Sequence, residues 1–220
     1  MGKELNLLEF YPRSKRPIEE RGRLIREEHR RVAREFGREY FDGDRLTGYG
    51  GYQYHPRFWT DTVRHFRDHY RLHENASVLD VGCAKGFMLH DFKLLMPALS
   101  VAGIDVSPYA LERAMPTVKP FLRVGNAACL PFGDKSFDFV ISINTIHNLP
   151  LEECKRALQE IQRVSRKDAF ISVDAWRTEE ERKRLMAWNL TAQTYMHVND
   201  WKKLFKEVGY TGDYWWFIAE

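Results

Sequence analysis

Apolar residues along this chain fall into two kinds of run. Four short stretches are nearly continuous in aliphatic, β-branched and aromatic residues: V-L-D-V at 78–81, S-V-A-G-I-D-V at 100–106, S-F-D-F-V-I-S-I at 136–143 and A-F-I-S-V-D at 169–174. Such runs predict buried strands, the third continuous enough for the centre of a parallel sheet. Elsewhere apolar positions recur at helical spacing. Phe87, Met88, Leu89, Phe92, Leu94 and Leu95 follow the first run, and Leu158, Ile161 and Val164 precede the last. A charged helix is predicted over 177–189, and one capped by Asn199-Asp200 runs to Val208, with Gly209 ending it. A terminal strand is predicted over 214–219. The stretch 191–197 reads equally as a short strand or as a loop over a pocket, with Tyr195 and His197 as wall candidates.

The first 76 residues follow another pattern. Residues 1–16 look poorly structured, with Pro12 and the basic cluster Arg13, Lys15 and Arg16. Pro17 can open a helix running to about Tyr40, with Ile18, Ile25, Val32, Phe36 and Tyr40 near one face. Glu19/Arg23 and Glu27/Arg31 are i,i+4 pairs on its solvent side. Residues 41–59 interleave glycines with aromatic rings, which makes poor helix and poor strand. That segment is either a lid whose Tyr49, Tyr52 or Tyr54 lies against a cationic or flat ligand, or an ordered loop plugging the edge of the core. A helix over 60–72 presents Val63, Phe66 and Tyr70.

The chemistry concentrates where the first strand ends, at Asp80-Val81-Gly82-Cys83-Ala84-Lys85-Gly86. Glycines allow backbone conformations and approaches that a Cβ forbids, and a following helix N-terminus offers unpaired N–H donors. The spacing G-x-A-x-G departs from the dinucleotide pattern G-x-G-x-x-G. Asp80 would repel a pyrophosphate and suits a ligand with a cationic end. V-L-D-V-G-C-A-K-G resembles the first motif of class I S-adenosylmethionine (SAM)-dependent methyltransferases, with Ala84 where that family usually has glycine. G-I-D-V-S at 103–107 resembles the family's ribose motif, carried by Asp105. G-N-A-A-C-L-P-F at 125–132 resembles its adenine block, with Asn126 in place of the usual aspartate.

The resemblance covers roughly residues 77–165. It implies a Rossmann-like, mostly parallel sheet of about six or seven strands with helices on both faces, preceded by an N-terminal helical and loop extension. The division expected is 1–76 for the extension and lid, and 77–220 for the SAM-binding domain. The implied cofactor contacts are Asp80, Gly82, Cys83, Ala84, Gly86, Asp105, Val106, Asn126, Ala127 and Asn144, with Tyr49 and Tyr52 from the lid. SAM is the expected cofactor and S-adenosylhomocysteine (SAH) its product. After the third run comes Asn144-Thr145-Ile146-His147-Asn148, which faces cofactor and acceptor if ligands sit beyond the strand ends. His147 is a candidate base, because imidazole titrates near neutrality, or else a second group shaping the pocket.

Composition narrows the partners. Hydrophobic content of 44% and charged content of 30% are those of a soluble globular protein. No long apolar run or leader is evident, so a cytoplasmic location without membrane contact is expected. The three cysteines, Cys83, Cys129 and Cys154, carry no paired spacing, which argues against zinc, and no metal is expected. The net charge of +3 sits in residues 1–76, with 16 basic against 13 acidic residues, the remainder being 18 against 18.

The acceptor is approached by exclusion. The Asn/Asp-Pro-Pro-aromatic tetrad of amino-directed nucleic-acid enzymes, the nucleophilic cysteine of pyrimidine carbon-5 enzymes and the paired glutamates of protein-arginine enzymes are all missing. The small-molecule branch remains, resembling quinone and secondary-metabolite methylation, with transfer by in-line displacement. Tyr54, Arg57, Trp59, Asn148, Trp176, Arg177 and Tyr195 are its candidate acceptor residues. The alternatives are RNA methylation, using the basic N-terminal third, and a non-catalytic SAM-binding partner subunit. Oligomeric state is left open.

Overall fold

The computed structural model describes residues 2–12, 16–50 and 53–220. Among the described residues seven strands form one sheet: β1 (Ser77–Val81), β2 (Ser100–Asp105), β3 (Leu122–Val124), β4 (Phe137–Ile143), β5 (Ser165–Trp176), β6 (Met196–His197) and β7 (Asp213–Phe217). Their order is β3-β2-β1-β4-β5-β6, with β7 beside β5, and every registered strand pair is parallel. The doubly wound, Rossmann-like expectation therefore holds. β7 runs along residues 170–174 of β5, and the two residues of β6 pair with Ala175 and Trp176 at its end.

Alternation along the strands separates two cores. Leu79, Val81, Val140, Ile171 and Val173 face α7 (Leu151–Val164) and α9 (Val198–Glu207). Val78, Phe139, Ile141 and Phe170 face α4 (Pro56–Tyr70) and α5 (Phe87–Leu95). Asp80 registers with Ile141, and Ile141 with Phe170, so Asp80, Ser172 and Asp174 share that second face at the C-terminal ends of the strands. The shorter α6 (Pro108–Glu112) and α8 (Glu179–Trp188) complete the layers.

The N-terminal expectations need correction. Residues 3–5 are ordered as sheet edge: Glu4 bridges Tyr214 in parallel, Leu5 N–H donates to the Tyr214 carbonyl, and Leu7 is buried. Arg13 and Lys15 of the basic cluster lie outside the described residues. The single helix expected over 17–40 is three: α1 (Ile18–Leu24), α2 (Glu27–Ala33) and α3 (Arg38–Asp42). Ile25 and Arg26 are extended, with Arg26 N–H bonded to His29 Nδ1, and Phe36 is left-handed at φ 49°. These breaks bend the arm so that Ile18 packs on Trp188 and Ala219, while Ile25 and Ala33 pack on Leu190. The break also moves the pairing: Glu27 meets Arg30 and Arg34, and Arg31 meets Glu35. Helix α4 begins four residues before the expected start, at Pro56, with His55 Nδ1 accepting from Arg57 N–H. Helix α9 is capped by His197 in place of Asn199-Asp200.

Candidate active site

The turn after β1 is held by backbone bonds. Gly82 and Cys83 N–H both donate to the Ile104 carbonyl, and Ala84 N–H donates to Asp105 Oδ2 at 2.8 Å. Gly82 sits at φ 89° with its Cα pressed on Thr145, and Gly86 at φ 74° opens α5. Ala84 is also left-handed, at φ 49°. An L-residue there costs about 1 kcal/mol, so Ala84→Gly is expected to raise thermal stability by roughly 2–4 °C, read by calorimetry. An unchanged or lower midpoint would contradict this strain.

Two carboxylates meet at this turn. Asp80 is buried, and burial, followed by the charge of Asp105, pushes its carboxyl up to about 8. Asp105 is raised by burial and partly relieved by N–H bonds from Ser107, Ala84 and Val106. Among the described residues no side chain or backbone N–H bonds the Asp80 carboxyl. Cys83 is buried and its thiol is pushed well up, chiefly by burial, which makes it inert packing rather than a nucleophile.

The arm roofs the turn. Lys85 Nζ meets Asp42 Oδ1 at 2.5 Å, Tyr109 donates to Asp42 Oδ2, and Ser107 Oγ donates to the Phe36 carbonyl. A cavity of about 170 Å³ lies between Tyr40, Phe41, Tyr49 and Gly50 of the arm and Ala84, Lys85 and Phe87 of the turn. Tyr49 stacks on Trp188 at 5.7 Å and its hydroxyl accepts from Leu190 N–H. Tyr52 lies outside the described residues.

The remaining expected cofactor residues lie along the same strand ends. Val106 is exposed just past β2. Asn126 spends Oδ1 on the N–H of Ala128 in a local turn, leaving its second lone pair and its amide N–H outward. Ala127 packs on the core. Asn144 is left-handed at φ 52° and its Oδ1 accepts from Ser172 Oγ, so its side chain points along the sheet.

His147 is corrected as a base. It is buried, its Nδ1 accepts from Asp174 N–H at 2.9 Å, and burial holds its pKa down to about 3. The one lone pair of the neutral ring is therefore spent. The acceptor set also separates. Tyr54 donates to Asp91 on α5, Trp59 packs on Tyr11, and Arg57 lies over Phe58. Arg177 is taken by Glu4 at 3.0 Å, which removes it as an anion holder. Trp176 and Tyr195 do meet, at 6.3 Å, on the rim, and Asn148 donates to the Asn144 carbonyl. Two functional candidates were missed in the sequence, Lys85 and Arg16, while Asp174 is placed by the sequence at the functional edge with Trp176 and Arg177 but without a role. Asp174 carried a readable signal, an apolar strand ending in an acid, as at Asp80 and Asp105.

Comparison with known proteins now decides the family. A methyltransferase-domain profile matches residues 79–173. A protein of Encephalitozoon cuniculi named as a methyltransferase is 31% identical over 64% of this chain and 71% of its own length. This chain belongs to the class I SAM-dependent methyltransferases. The methyltransferase is also 29% identical to a tRNA (carboxymethyluridine(34)-5-O)-methyltransferase of Arabidopsis thaliana, over 59% of this chain but 31% of that protein. It is 36% identical to a demethylmenaquinone methyltransferase of Lactiplantibacillus plantarum, over 47% of this chain and 48% of that one. It thus spans about a third to a half of these two relatives. Among solved structures, its fold matches the YcgJ protein of Bacillus subtilis (TM-score 0.55, 19% identity, 66% of each chain). It also matches a Haloferax volcanii complex of the Trm112 methyltransferase activator with a methyltransferase (TM-score 0.52, 21% identity, 84% of this chain and 77% of that one).

The residues present fit SAM. Asp80 is a buried carboxyl without a hydrogen-bond partner among the described residues, which a ligand ammonium would satisfy. Asp105 keeps lone pairs beyond its N–H partners. Among the described residues no helix is long and apolar enough to cross a membrane.

Proposed function

We propose that this methyltransferase binds SAM on the turn from Asp80 to Gly86 and methylates a small organic acceptor beneath the N-terminal arm. The observation that carries this reading is the arm itself: Asp42 of α3 is tied to Lys85 and Tyr109 and Phe36 before it to Ser107, so the turn is roofed by aromatic side chains of the arm. Such a roof admits a molecule of modest size and excludes water. When bound, SAM supplies an electrophilic methyl group to a nucleophile approaching in line with sulfur. Asp80 holds the ammonium end, Asp105 the ribose hydroxyls, and Val106, Asn126 and Ala127 flank the adenine. Residues 1–76 act as the extension and lid, with Tyr49 in it, on the SAM-binding domain of 77–220.

A cavity of about 170 Å³ is below the roughly 300 Å³ of ordinary ligand sites, so α3 must withdraw for the cofactor to pass. Asp42→Ala, which removes the ties of α3 to Lys85 Nζ and the Tyr109 hydroxyl, is expected to speed both association and dissociation of SAH, dissociation by roughly tenfold. Stopped-flow mixing measures this, and unchanged rates would remove α3 from the access path.

The relatives and the basic excess of residues 1–76 favour one second reading, methylation of RNA with an activator partner. Incubation with SAM and either a panel of phenols and quinols or total tRNA, with SAH release as readout, separates the two. Turnover on the panel is expected. Turnover confined to tRNA, with affinity falling steeply in salt, would replace the small-molecule acceptor.

A further inference from the structure

We infer that Asp174 is the proton acceptor of this enzyme, and that the acceptor's nucleophilic atom is a hydroxyl oxygen on a flat ring, a phenol or enol. The inference rests on the methyltransferase reading and specifies its acceptor. Position comes first. Asp174 lies on the same sheet face as Asp80. It stands four residues beyond Phe170, which is in register with Asp80 through Ile141, or about 13 Å nearer the C-terminal end of the sheet. A group there stands over β5, beside the site proposed for SAM over β1 and β2.

The surroundings are those of a working carboxylate. Asp174 is 5% exposed, yet among the described residues nothing donates a hydrogen bond to its carboxyl oxygens. The nearest donor, His147 Nε2, stands 3.6 Å from Oδ1, beyond hydrogen-bond length. His147 accepts the Asp174 backbone N–H through Nδ1, so Nε2 carries the ring proton and turns it toward the carboxyl. Buried and neutral, His147 leaves the carboxyl's charge unneutralised. Arg16 supplies a distant positive charge while stacked on Trp188 and Phe217 at 5.6 and 4.8 Å. Tyr49 faces Asp174 from the arm, and Glu220 acts on Arg16. The titratable groups facing Asp174 are thus His147, Arg16 and Tyr49.

Burial pushes the Asp174 carboxyl up to about 7, Arg16 opposing, which suits transfer near neutral pH. The side chains grouped around Arg16 are rings, Trp188 and Phe217, with Tyr49 stacked on Trp188, and aromatic surroundings favour a planar acceptor. Charge balances as well. The hydroxyl proton passes to a carboxyl oxygen of Asp174, and the freed O–H pair forms the new C–O bond. The bond from methyl to sulfur breaks with its electrons remaining on sulfur, so the carboxylate and the sulfonium are neutralised together. An amine acceptor would arrive as an ammonium and be held by Asp174 with its lone pair blocked.

The test uses the full chain with phenol as probe, with and without saturating SAH. Protein labelled with ¹³C at aspartate side-chain carboxyls gives the Asp174 resonance by difference from Asp174→Asn. That resonance is expected to titrate near neutrality and to move when phenol is added. Phenol affinity is expected to rise about tenfold from pH 5 to pH 9 in the wild type and to stay flat in Asp174→Asn. Asp174→Glu, keeping the acid, is expected to restore part of the slope and checks against a merely misfolded variant. Normal SAH binding with equal phenol profiles in all three proteins would overturn the role of Asp174 alone. Absence of SAH binding in the wild type would overturn the methyltransferase site beneath it.

Discussion

Replacing Asp80 by Asn is expected to abolish detectable SAM and SAH binding while making the ligand-free protein more stable. Both effects come from one carboxyl. In the folded chain it is raised from 3.8 to about 8 by burial and by Asp105. A group raised on folding contributes stability that is full below its unfolded pKa and is lost as pH rises through the folded one. Asp80 therefore weakens the free protein increasingly between about pH 4 and pH 8. Asparagine keeps the shape and removes that titration. The expected gain at pH 8 is on the order of 2 kcal/mol, or a rise in melting temperature of about 4–8 °C. The same substitution removes the anion proposed to hold the ligand's ammonium. Differential scanning calorimetry at pH 5 and pH 8, with and without SAH, reads both. A variant that melts lower at pH 8, or that still gains stability from SAH, would detach Asp80 from the cofactor.

The second large effect is at Gly82. An alanine there would hold φ 89° against its preference, and its Cβ would overlap Thr145 Oγ1 and Cγ2, with Thr145 Cβ at 2.6 Å. The backbone part costs about 1–2 kcal/mol and the overlap about 1–3 kcal/mol. Gly82→Ala is thus expected to lower the melting temperature by roughly 4–20 °C. Only Thr145→Gly clears the space, since an alanine at 145 keeps the offending Cβ. In a double-mutant cycle, Thr145→Gly should recover the overlap and leave the backbone part. Full additivity of the two substitutions would show that the turn is not pressed against Thr145.

Burial and charge explain what could be read from the sequence. The strands at 78–81, 100–106, 136–143 and 169–174 declare themselves because both faces of a central parallel strand must be apolar, leaving an acid at the end conspicuous. The three-residue β3 and the two-residue β6 carry too few side chains to show any period. The arm was misread for the opposite reason: its apolar residues do fall near one helical face. The kinks at Ile25-Arg26 and at Phe36 are set by what the arm packs on, Trp188 and Leu190, more than 150 residues away. His147 shows the limit of reasoning by residue type. Its ring suits a base, but the backbone N–H of Asp174 claims the lone pair, and only the packing of β4 against β5 brings the two together. Lys85 was passed over within the motif because its partner, Asp42, lies 43 positions earlier.

Isothermal titration of the full chain with SAH at pH 7, in two buffers of different ionisation enthalpy, puts the carboxylate-and-glycine cradle to its most direct trial. Association with release of close to one proton is expected, since the Asp80 carboxyl, mostly protonated below about 8, must ionise against the ligand's ammonium. No heat in either buffer, or heat without any proton exchange, would contradict it.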